Sequence, residues 1–364
     1  MRLLRPTEIK ELATIVKDSK SIFPRGRRTK TLLSIAPDQF DILDMTAISG
    51  IINYDPAEFT FTALAGTAVA EIKSELYKHA QYLPFDPILV NRGATLGGAV
   101  AAGINGPGRY RFGGMRDFLL SARFVDGRGE VIKSGEKVVK NSAGFDYHKL
   151  LIGSQGRLGI LVELSFKVFP RPAALATVFR KYAKPADAID ALWQFSTNQL
   201  DLDSLDLEIN EQGSILWTRL GASDRTIEQR IELTRTLLGG GDVLKGSDDE
   251  KIWEEVREFN WVPPGWYLVK IPITPSRIPA LEGALIAVPG YSMAIRRYSC
   301  GGQQLWLSMA EPPAILHNLL LTQGLSGMAI LGPQSTKRLG VQGEEMLSKR
   351  IKDAVDPARR FAEI

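Results

Sequence analysis

The arrangement of apolar and polar positions divides the chain near residue 172. The first segment carries an amphipathic pattern that predicts a helix after Thr7, with one apolar face at Ile9, Leu12, Ile15 and Val16. Up to residue 172, short apolar runs alternate with glycine-rich stretches. Beyond Pro172 the pattern becomes a regular succession of short strands and helices.

The apolar and polar pattern of the second half predicts seven strands and six helices. The strands cover residues 174–182, 205–209, 213–220, 267–271, 292–298, 303–309 and 326–331. The helices cover residues 185–198, 224–238, 248–259, 275–286, 312–321 and 343–356. The order β-α-β-β-α occurs twice, which predicts an antiparallel sheet covered by helices on one face. We expect the last helix to return to the first domain.

Length and charge narrow the class of protein. The chain has 364 residues, which favours two or three domains, and a net charge of +4 without a long basic run, which gives no indication of nucleic-acid binding. The only cysteine, Cys300, excludes disulfides within the chain and a cysteine-held iron–sulfur cluster. Residues 312–336 lack charged side chains, and we expect a buried helix–strand pair there and no membrane span. The expected compartment is the cytoplasm.

Glycine is concentrated in one region. Fifteen of the 34 glycines lie between Gly93 and Gly159. In residues 94–108, Thr95 is a candidate helix N-cap, and Gly97 and Gly98 would leave free N–H groups at the helix start, where helices hold phosphate. The alternative is a close contact between this helix and a sheet.

A second candidate segment is the basic stretch of residues 23–30. It carries four positive charges within six residues, at Arg25, Arg27, Arg28 and Lys30, and Gly26 allows successive N–H groups to turn toward an anion. The alternative is a solvated basic turn. Neither of these two segments, residues 94–108 and 23–30, contains a P-loop or a Rossmann fingerprint. A dinucleotide would therefore have to be held in another way.

The order of the motifs resembles the vanillyl-alcohol-oxidase-type family with its PCMH-type FAD-binding domain, and within it the glycolate-oxidase branch. The segments that carry the resemblance lie at residues 24–30 (PRGRRTK), 43–56 (LDMTAISGIINYDP), 63–72 (ALAGTAVAEI), 81–87 (QYLPFDP), 95–120 (TLGGAVAAGINGPGRYRFGGMRDFLL) and 140–172, which opens with KNSAGFD. Residues 355–364 resemble the family's C-terminal ending, without its usual asparagine–proline–glycine–arginine finish.

The resemblance implies an α+β fold, in which a two-subdomain PCMH-type FAD-binding domain (residues 1–172) is followed by an antiparallel-sheet cap domain with helices on one face (173–335) and a C-terminal segment that returns to the FAD domain (336–364). FAD would lie between the two subdomains. The residues implied to bind FAD are Arg25, Gly26, Arg27, Arg28, Thr29 and Lys30 at the pyrophosphate, Thr95, Leu96, Gly97 and Gly98 at the pyrophosphate or isoalloxazine, and Gly159 and Ile160 on the adenosine side.

One departure from the family concerns the pyrophosphate loop, which is usually glycine-rich where this chain has Arg27 and Arg28. Side chains there restrict the backbone, and they also add two positive charges. No histidine occurs near either flavin segment, so we expect FAD to be bound non-covalently. Cys300 lies outside the flavin domain and is expected to be a core residue.

Candidates for catalytic roles are few, and no catalytic residue is assigned. His79 is expected to be solvated, His317 to be structural, and His148 is the one histidine within a matching motif. Arg296 and Arg297 could supply one carboxylate anchor, because neighbouring residues of a strand point to opposite faces. Arg116 and Asp117 are expected to form a buried pair. No metal site is expected.

The lack of candidate bases favours a subunit that works with partners. The resemblance implies the FAD-binding subunit of a glycolate oxidase or dehydrogenase complex that oxidises a small 2-hydroxy acid, beside a second flavoprotein subunit and an iron–sulfur subunit. Two alternatives stay open. One is a stand-alone FAD-linked 2-hydroxy-acid dehydrogenase, and the other is a degenerate scaffold subunit without FAD.

Overall fold

A computed structural model describes residues 1–136, 146–198, 200–333, 336–343 and 345–363. Residues 140–145 of the KNSAGFD motif therefore lie outside the described part of the chain. Up to residue 172, the described strands are β1 (Leu3–Leu4), β2 (Ile22–Arg25), β3 (Asp41–Asp44), β4 (Ile51–Asp55), β5 (Thr60–Leu64), β6 (Gln81–Tyr82), β7 (Leu119–Val125), β8 (Val131–Gly135), β9 (Ile160–Lys167) and β10 (Phe169–Pro170). The helices are α1 (Ile9–Asp18), α2 (Val69–Tyr77), α3 (Leu96–Ala102), α4 (Arg109–Phe112), α5 (Met115–Phe118) and α6 (Tyr147–Leu150).

Two sheets form the framework of this first part. The strands β1, β3 and β2 make a parallel sheet, and β4, β5, β9, β7 and β8 make an antiparallel one. The predicted helix after Thr7 is confirmed as α1, which buries Leu12 and Val16. The Glu11 carboxylate accepts a hydrogen bond from the Thr7 N–H at 2.8 Å, which closes the start of the helix.

The remaining strands are β11 (Ala174–Tyr182), β12 (Leu202–Asn210), β13 (Gly213–Ala222), β14 (Asp242–Lys245), β15 (Tyr267–Pro272), β16 (Ile295–Ser299), β17 (Gln304–Met309), β18 (Ser326–Leu331) and β19 (Arg338–Gly340). The remaining helices are α7 (Pro185–Ser196), α8 (Ile227–Leu238), α9 (Gly246–Glu258), α10 (Ile278–Ile286), α11 (Ala314–Thr322) and α12 (Glu345–Val355). All nine strands join one sheet in the order β14-β11-β13-β12-β16-β17-β15-β18-β19.

This sheet confirms the predicted antiparallel architecture and its repeat. The order β-α-β-β-α runs from β11 to α8 and again from β15 to α11, and the two repeats meet where β12 pairs with β16. Helices α7, α8, α10 and α11 bury their apolar stripes against one face of the sheet. Helix α9 lies on the other face, where Trp253 and Val256 contact Trp217. That second face turns toward the first part of the chain.

Three details of the second half differ from the sequence prediction. Residues 291–293 form a 3₁₀ turn and not the start of a strand, because Gly290 adopts φ 88° and turns the chain there. The helix predicted from Pro275 begins with a 3₁₀ turn before α10. The short strands β14 and β19 were not predicted, and β19 belongs to the large sheet although it follows residue 335.

The C-terminal helix α12 lies against the first part. The Lys352 ammonium donates to the Arg157 carbonyl at 2.7 Å, and Arg360 donates to the carbonyls of Gly127 and Ser19.

The division of the chain at residues 172 and 335 stays our proposal. The uncharged stretch 312–336 contains α11 and β18, as expected. None of the helices in the described ranges is long and apolar enough to cross a bilayer.

Candidate cofactor site

A cleft with a volume of ≈ 800 Å³ opens where β2 ends, α3 begins and β9 begins. Eleven of the twelve residues implied to bind FAD line this cleft: Arg25, Gly26, Arg27, Arg28, Thr29, Lys30, Thr95, Gly97, Gly98, Gly159 and Ile160. Leu96 is the exception, because its side chain is 1% exposed and belongs to the hydrophobic core under the sheet. Two distant stretches of sequence therefore meet at one surface.

The basic loop after β2 contacts the start of α3 closely. A Cβ atom on Gly26 would lie 2.5 Å from the Thr95 hydroxyl oxygen, so only glycine fits at this position without a displacement. The same Thr95 hydroxyl accepts a hydrogen bond from the Gly98 N–H at 3.2 Å and caps the helix, as the sequence predicts. The Thr95 side chain therefore lies against the loop and caps the helix at the same time.

The expectation of free N–H groups at the start of α3 is wrong. Leu96 donates its N–H to the Thr67 carbonyl at 2.9 Å, Gly97 donates to the Ala65 carbonyl at 2.7 Å, and Gly98 donates to Thr95. A Cβ atom on Gly97 would lie 2.7 Å from the Ala65 Cβ. Gly97 is therefore required by a close contact with the residue after β5, which is the alternative that the sequence left open.

Positive charge dominates one side of the cleft. Among the described residues, the side chains of Arg25, Arg27, Arg28 and Lys30 have no hydrogen-bond or ion-pair partner within 4 Å. Arg27 and Arg28 are exposed, and Arg28 has φ 60°, a strained value for a residue with a Cβ. Burial, together with the Arg28 charge, lowers the pKa of Arg25. Four cations without partners favour an anionic ligand.

Lys30 is the buried member of this group. Its side chain is 5% exposed, and burial lowers its pKa to about 8, while the Glu258 carboxylate acts in the opposite direction. A lysine in such a place is charged only in part at neutral to mildly alkaline pH, and it gains from a phosphate nearby. The lining as a whole fits a dinucleotide, since it combines this cationic loop with small residues around Gly97, Gly156 and Gly159.

A second cleft, with a volume of ≈ 1470 Å³, lies between residues 81–91 and helix α9. Most of its charged side chains are paired: Arg219 contacts Asp249 at 2.5 Å, Arg257 contacts Asp86 at 3.5 Å, and Arg171 contacts Glu250. Glu258 lines this second cleft, whereas Lys30 lines the first. The Glu258 carboxylate acts on the pKa of Lys30 from this second cleft.

The arginines proposed as carboxylate anchors have other partners. Arg297 donates from Nε to the Asp206 carboxylate at 2.8 Å and from a terminal nitrogen to Glu208 at 3.1 Å. Arg296, on the opposite face of the strand, lies 3.3 Å from the Glu282 carboxylate. Both arginines are almost completely buried. The alternation of faces is confirmed, but each side chain is committed to a structural ion pair and neither is available to a substrate.

The histidines lie away from both clefts. His148 is 3% exposed and contacts the Ser134 hydroxyl at 3.2 Å through Nδ1, and burial lowers the pKa of its ring. His317 accepts a hydrogen bond from the Gly340 N–H at 3.1 Å. His79 is exposed and packs edge-on against Tyr54. All three are described, and none of them lines either cleft.

The prediction that Arg116 and Asp117 form a buried pair is wrong. Both side chains are exposed. The Asp117 carboxylate instead accepts a hydrogen bond from the Gly114 N–H at 2.9 Å, and Arg116 reaches the Lys149 carbonyl at 3.4 Å. Adjacent residues on a short helix point in different directions, so each finds a backbone partner. Asp117 fixes the start of α5.

A charged group that was not among the sequence-predicted site residues lies between the two halves of the chain. Lys270 lies on the face of β15 that turns toward the first part, with Trp306 and Met328 as its neighbours across the sheet. Burial, and then the Arg109 charge, lower the pKa of Lys270 to about 8. Burial also raises the pKa of the nearby Cys300 thiol to about 12, so the thiol is protonated at neutral pH. The sequence feature that could have indicated this group is a single lysine within the otherwise apolar strand β15.

Comparison with known proteins identifies the family. The family described as FAD binding domain matches residues 2–135. Glycolate oxidase subunit GlcE of Escherichia coli is 30% identical over 320 residues, which cover 87% of this chain and 84% of that protein. D-lactate dehydrogenase of Anaerostipes hadrus is 29% identical over 211 residues (56% of this chain, 44% of that protein), and glycolate oxidase subunit GlcD of Bacillus subtilis is 27% identical over 177 residues (48% and 37%).

A solved structure supports the fold. The structure of an alkyldihydroxyacetonephosphate synthase superimposes with a TM-score of 0.75 at 16% identity, covering 98% of this chain and 76% of that one. This likeness confirms the α+β fold. FAD is the cofactor of the matching family. The chain therefore belongs to the family of FAD-binding oxidoreductases that includes glycolate oxidase subunit GlcE.

Proposed function

We propose that this chain is the FAD-binding subunit of a glycolate-oxidase-type complex that oxidises a small 2-hydroxy acid. The observation that carries the proposal is the 30% identity to glycolate oxidase subunit GlcE over 87% of the chain. A cleft with four unpaired cations at the expected positions supports it. The cytoplasmic location stays a prediction.

Each wall of the cleft has a role in the proposed binding of FAD. The side chains of Arg25, Arg27, Arg28 and Lys30 would bind the pyrophosphate, because the N–H groups at the start of α3 are already engaged within the protein. Thr95 would hold the loop at the correct distance. Gly159 and Ile160 would contact the adenosine side. When bound, FAD would accept the two electrons that leave the hydroxy acid.

The proposal includes partners because the chain is poor in candidate bases. A base typically contributes a factor of about 10²–10⁴ to the rate of a proton abstraction. The three histidines make structural contacts, and Arg296 and Arg297 are held in ion pairs. We propose that a second flavoprotein subunit and an iron–sulfur subunit complete the complex, one supplying missing catalytic groups and the other carrying electrons away.

The first experiment examines the cofactor. The chain is purified under native conditions, and we expect a yellow protein whose FAD is released completely by denaturation, since no histidine lines the cleft and Cys300 is buried away from it. A colourless protein that gains no flavin absorbance with added FAD would contradict the proposal and favour the scaffold alternative.

The second experiment examines the need for partners. Glycolate and D-lactate are added anaerobically to the purified chain, and bleaching of the flavin is followed before and after the second flavoprotein subunit is supplied. We expect slow or no bleaching by the chain alone. Rapid, stoichiometric bleaching by the isolated chain would reject the subunit role and favour the stand-alone dehydrogenase.

A further inference from the structure

The turn that follows the basic loop belongs to both halves of the chain. Residues 32–34 form a 3₁₀ turn, in which Leu33 and Ser34 line the cofactor cleft. Leu32 is fully buried and belongs to the hydrophobic core on the helix-covered face of the nine-stranded sheet. Leu33 packs against the cluster on the other face, which contains Trp306. One wall of the cleft is therefore anchored in the sheet of the second half.

The Lys337 side chain, directly before β19, contacts both flanks of the basic loop. Its ammonium donates a hydrogen bond to the Ile35 carbonyl at 2.8 Å, on the C-terminal flank. The same ammonium lies 5.9 Å from the centroid of the Phe23 ring on the N-terminal flank, as a cation over an aromatic face. Phe23 itself lines the cleft. One side chain from the second half therefore bridges the two ends of the loop.

Hydrogen bonds connect this bridge to the loop and to the large sheet. The Lys30 carbonyl accepts hydrogen bonds from the Ser34 N–H at 3.1 Å and from the Ser34 hydroxyl at 2.8 Å, and Ser34 is the chain neighbour of Ile35. On the other side, the Lys337 carbonyl accepts a hydrogen bond from the Ala329 N–H at 2.8 Å. A continuous series of contacts therefore leads from Lys30 to strand β18.

We propose that Lys337 is a positioning residue for the cofactor loop, and that it couples the binding of FAD to the docking of β18 and β19 against the loop. This inference rests on the proposed function. Lys337 would act from behind the wall that Phe23 and Ser34 form. Coupling between two equilibria is reciprocal. The contribution of Lys337 to FAD affinity must therefore equal the contribution of bound FAD to the docking of the two strands.

The first measurement is FAD affinity, followed by flavin fluorescence as the holoprotein is diluted. Lys337→Met keeps a side chain of similar length without the N–H donors, and it should bind FAD at least about fivefold more weakly. Lys337→Arg keeps the charge and the donors, and it should recover most of the wild-type affinity. Arg338→Met is the matched control, because it removes one positive charge at the next residue, whose side chain is exposed. It should stay within about twofold of the wild type.

The second measurement separates a positioning role from a general structural one. Hydrogen exchange of the β18 amides, including Ala329, is compared in the holoprotein and in the same protein after removal of FAD. In the wild type, bound FAD should slow this exchange at least about fivefold. In Lys337→Met, the exchange should be nearly independent of FAD. A side chain that only stabilises the fold would instead change the exchange by the same factor with and without FAD.

Three results would overturn the inference while leaving the proposed function intact. One is equal FAD affinity of Lys337→Met and Arg338→Met, and another is equally weak binding by Lys337→Met and Lys337→Arg. The third is wild-type β18 exchange that does not respond to FAD. A wild-type chain that neither carries nor takes up FAD overturns the proposed function itself, and the inference with it.

Discussion

The backbone of Gly26 lies so close to the side chain of Thr95 that a Cβ atom on Gly26 would come within 2.5 Å of the threonine hydroxyl. That hydroxyl also caps helix α3 through the Gly98 N–H. The contact joins the end of a parallel strand to the first turn of a helix 70 residues later in the chain. The Thr95 side chain therefore opposes a displacement of the loop toward helix α3.

The first prediction concerns Gly26→Ala. The added methyl group must displace the Thr95 hydroxyl, and overpacking of this kind typically costs about 1–3 kcal/mol. We expect a lower free energy of unfolding and FAD affinity at least tenfold weaker, measured by urea denaturation and by FAD titration. Gly283→Ala is the matched control, because nothing lies within 4 Å of its Cβ position on helix α10. That variant should be stabilised slightly, and equal behaviour of the two variants would contradict the prediction.

The second prediction concerns the two exposed arginines of the loop. A charge-assisted hydrogen bond contributes about 1.5–3 kcal/mol, so Arg27→Ala and Arg28→Ala should each weaken FAD binding at least tenfold if the side chain meets phosphate. Arg28→Gly should also raise the stability of the free chain by about 1 kcal/mol, because glycine adopts φ 60° without strain. Unchanged FAD affinity in both alanine variants would show that these side chains face solvent.

Much of the fold could be predicted from local pattern. The strand β11 lies at the predicted residues 174–182, because alternation and flanking prolines are local signals. The capping role of Thr95 is equally local. The short edge strand β14 escaped prediction, since four residues between two glycines carry too little pattern.

The site could be predicted only in part. The sequence indicated which residues would meet, yet the occupied N–H groups of Leu96 and Gly97 depend on carbonyls of Thr67 and Ala65, which only the tertiary fold brings there. The same applies to Glu258, whose carboxylate accepts a hydrogen bond from the Asn91 N–H at 3.0 Å because α9 docks against the first part of the chain. Hydrogen-bond partners that come from distant elements cannot be recognised in a local sequence motif.

The third prediction separates structure from catalysis at Arg297. The Asp206 carboxylate is fully buried and accepts hydrogen bonds from Arg297 at 2.8 Å and from the Ser299 hydroxyl at 2.7 Å. Removing one partner of a buried ion pair typically costs about 3–5 kcal/mol. We therefore expect Arg297→Ala to unfold at much lower urea concentration, and Arg297→Lys to recover little, because lysine lacks the planar fork. A stable Arg297→Ala protein with weakened substrate binding would restore the arginine as a carboxylate anchor.

The fourth prediction concerns Lys270 and pH. Its pKa is about 8 in the folded chain and ordinarily 10.5, so the unfolded chain binds the proton more tightly. The lysine therefore destabilises the fold fully below pH 8, and this cost disappears as the pH rises toward 10.5. Lys270→Met should raise the free energy of unfolding by about 2–3 kcal/mol at pH 7 and by less than about 1 kcal/mol at pH 10. Urea denaturation at the two pH values measures both differences, with the exposed Lys251→Met as control. A Lys270→Met protein that is no more stable than the wild type at pH 7 would show that the ammonium already has a compensating partner in the fold.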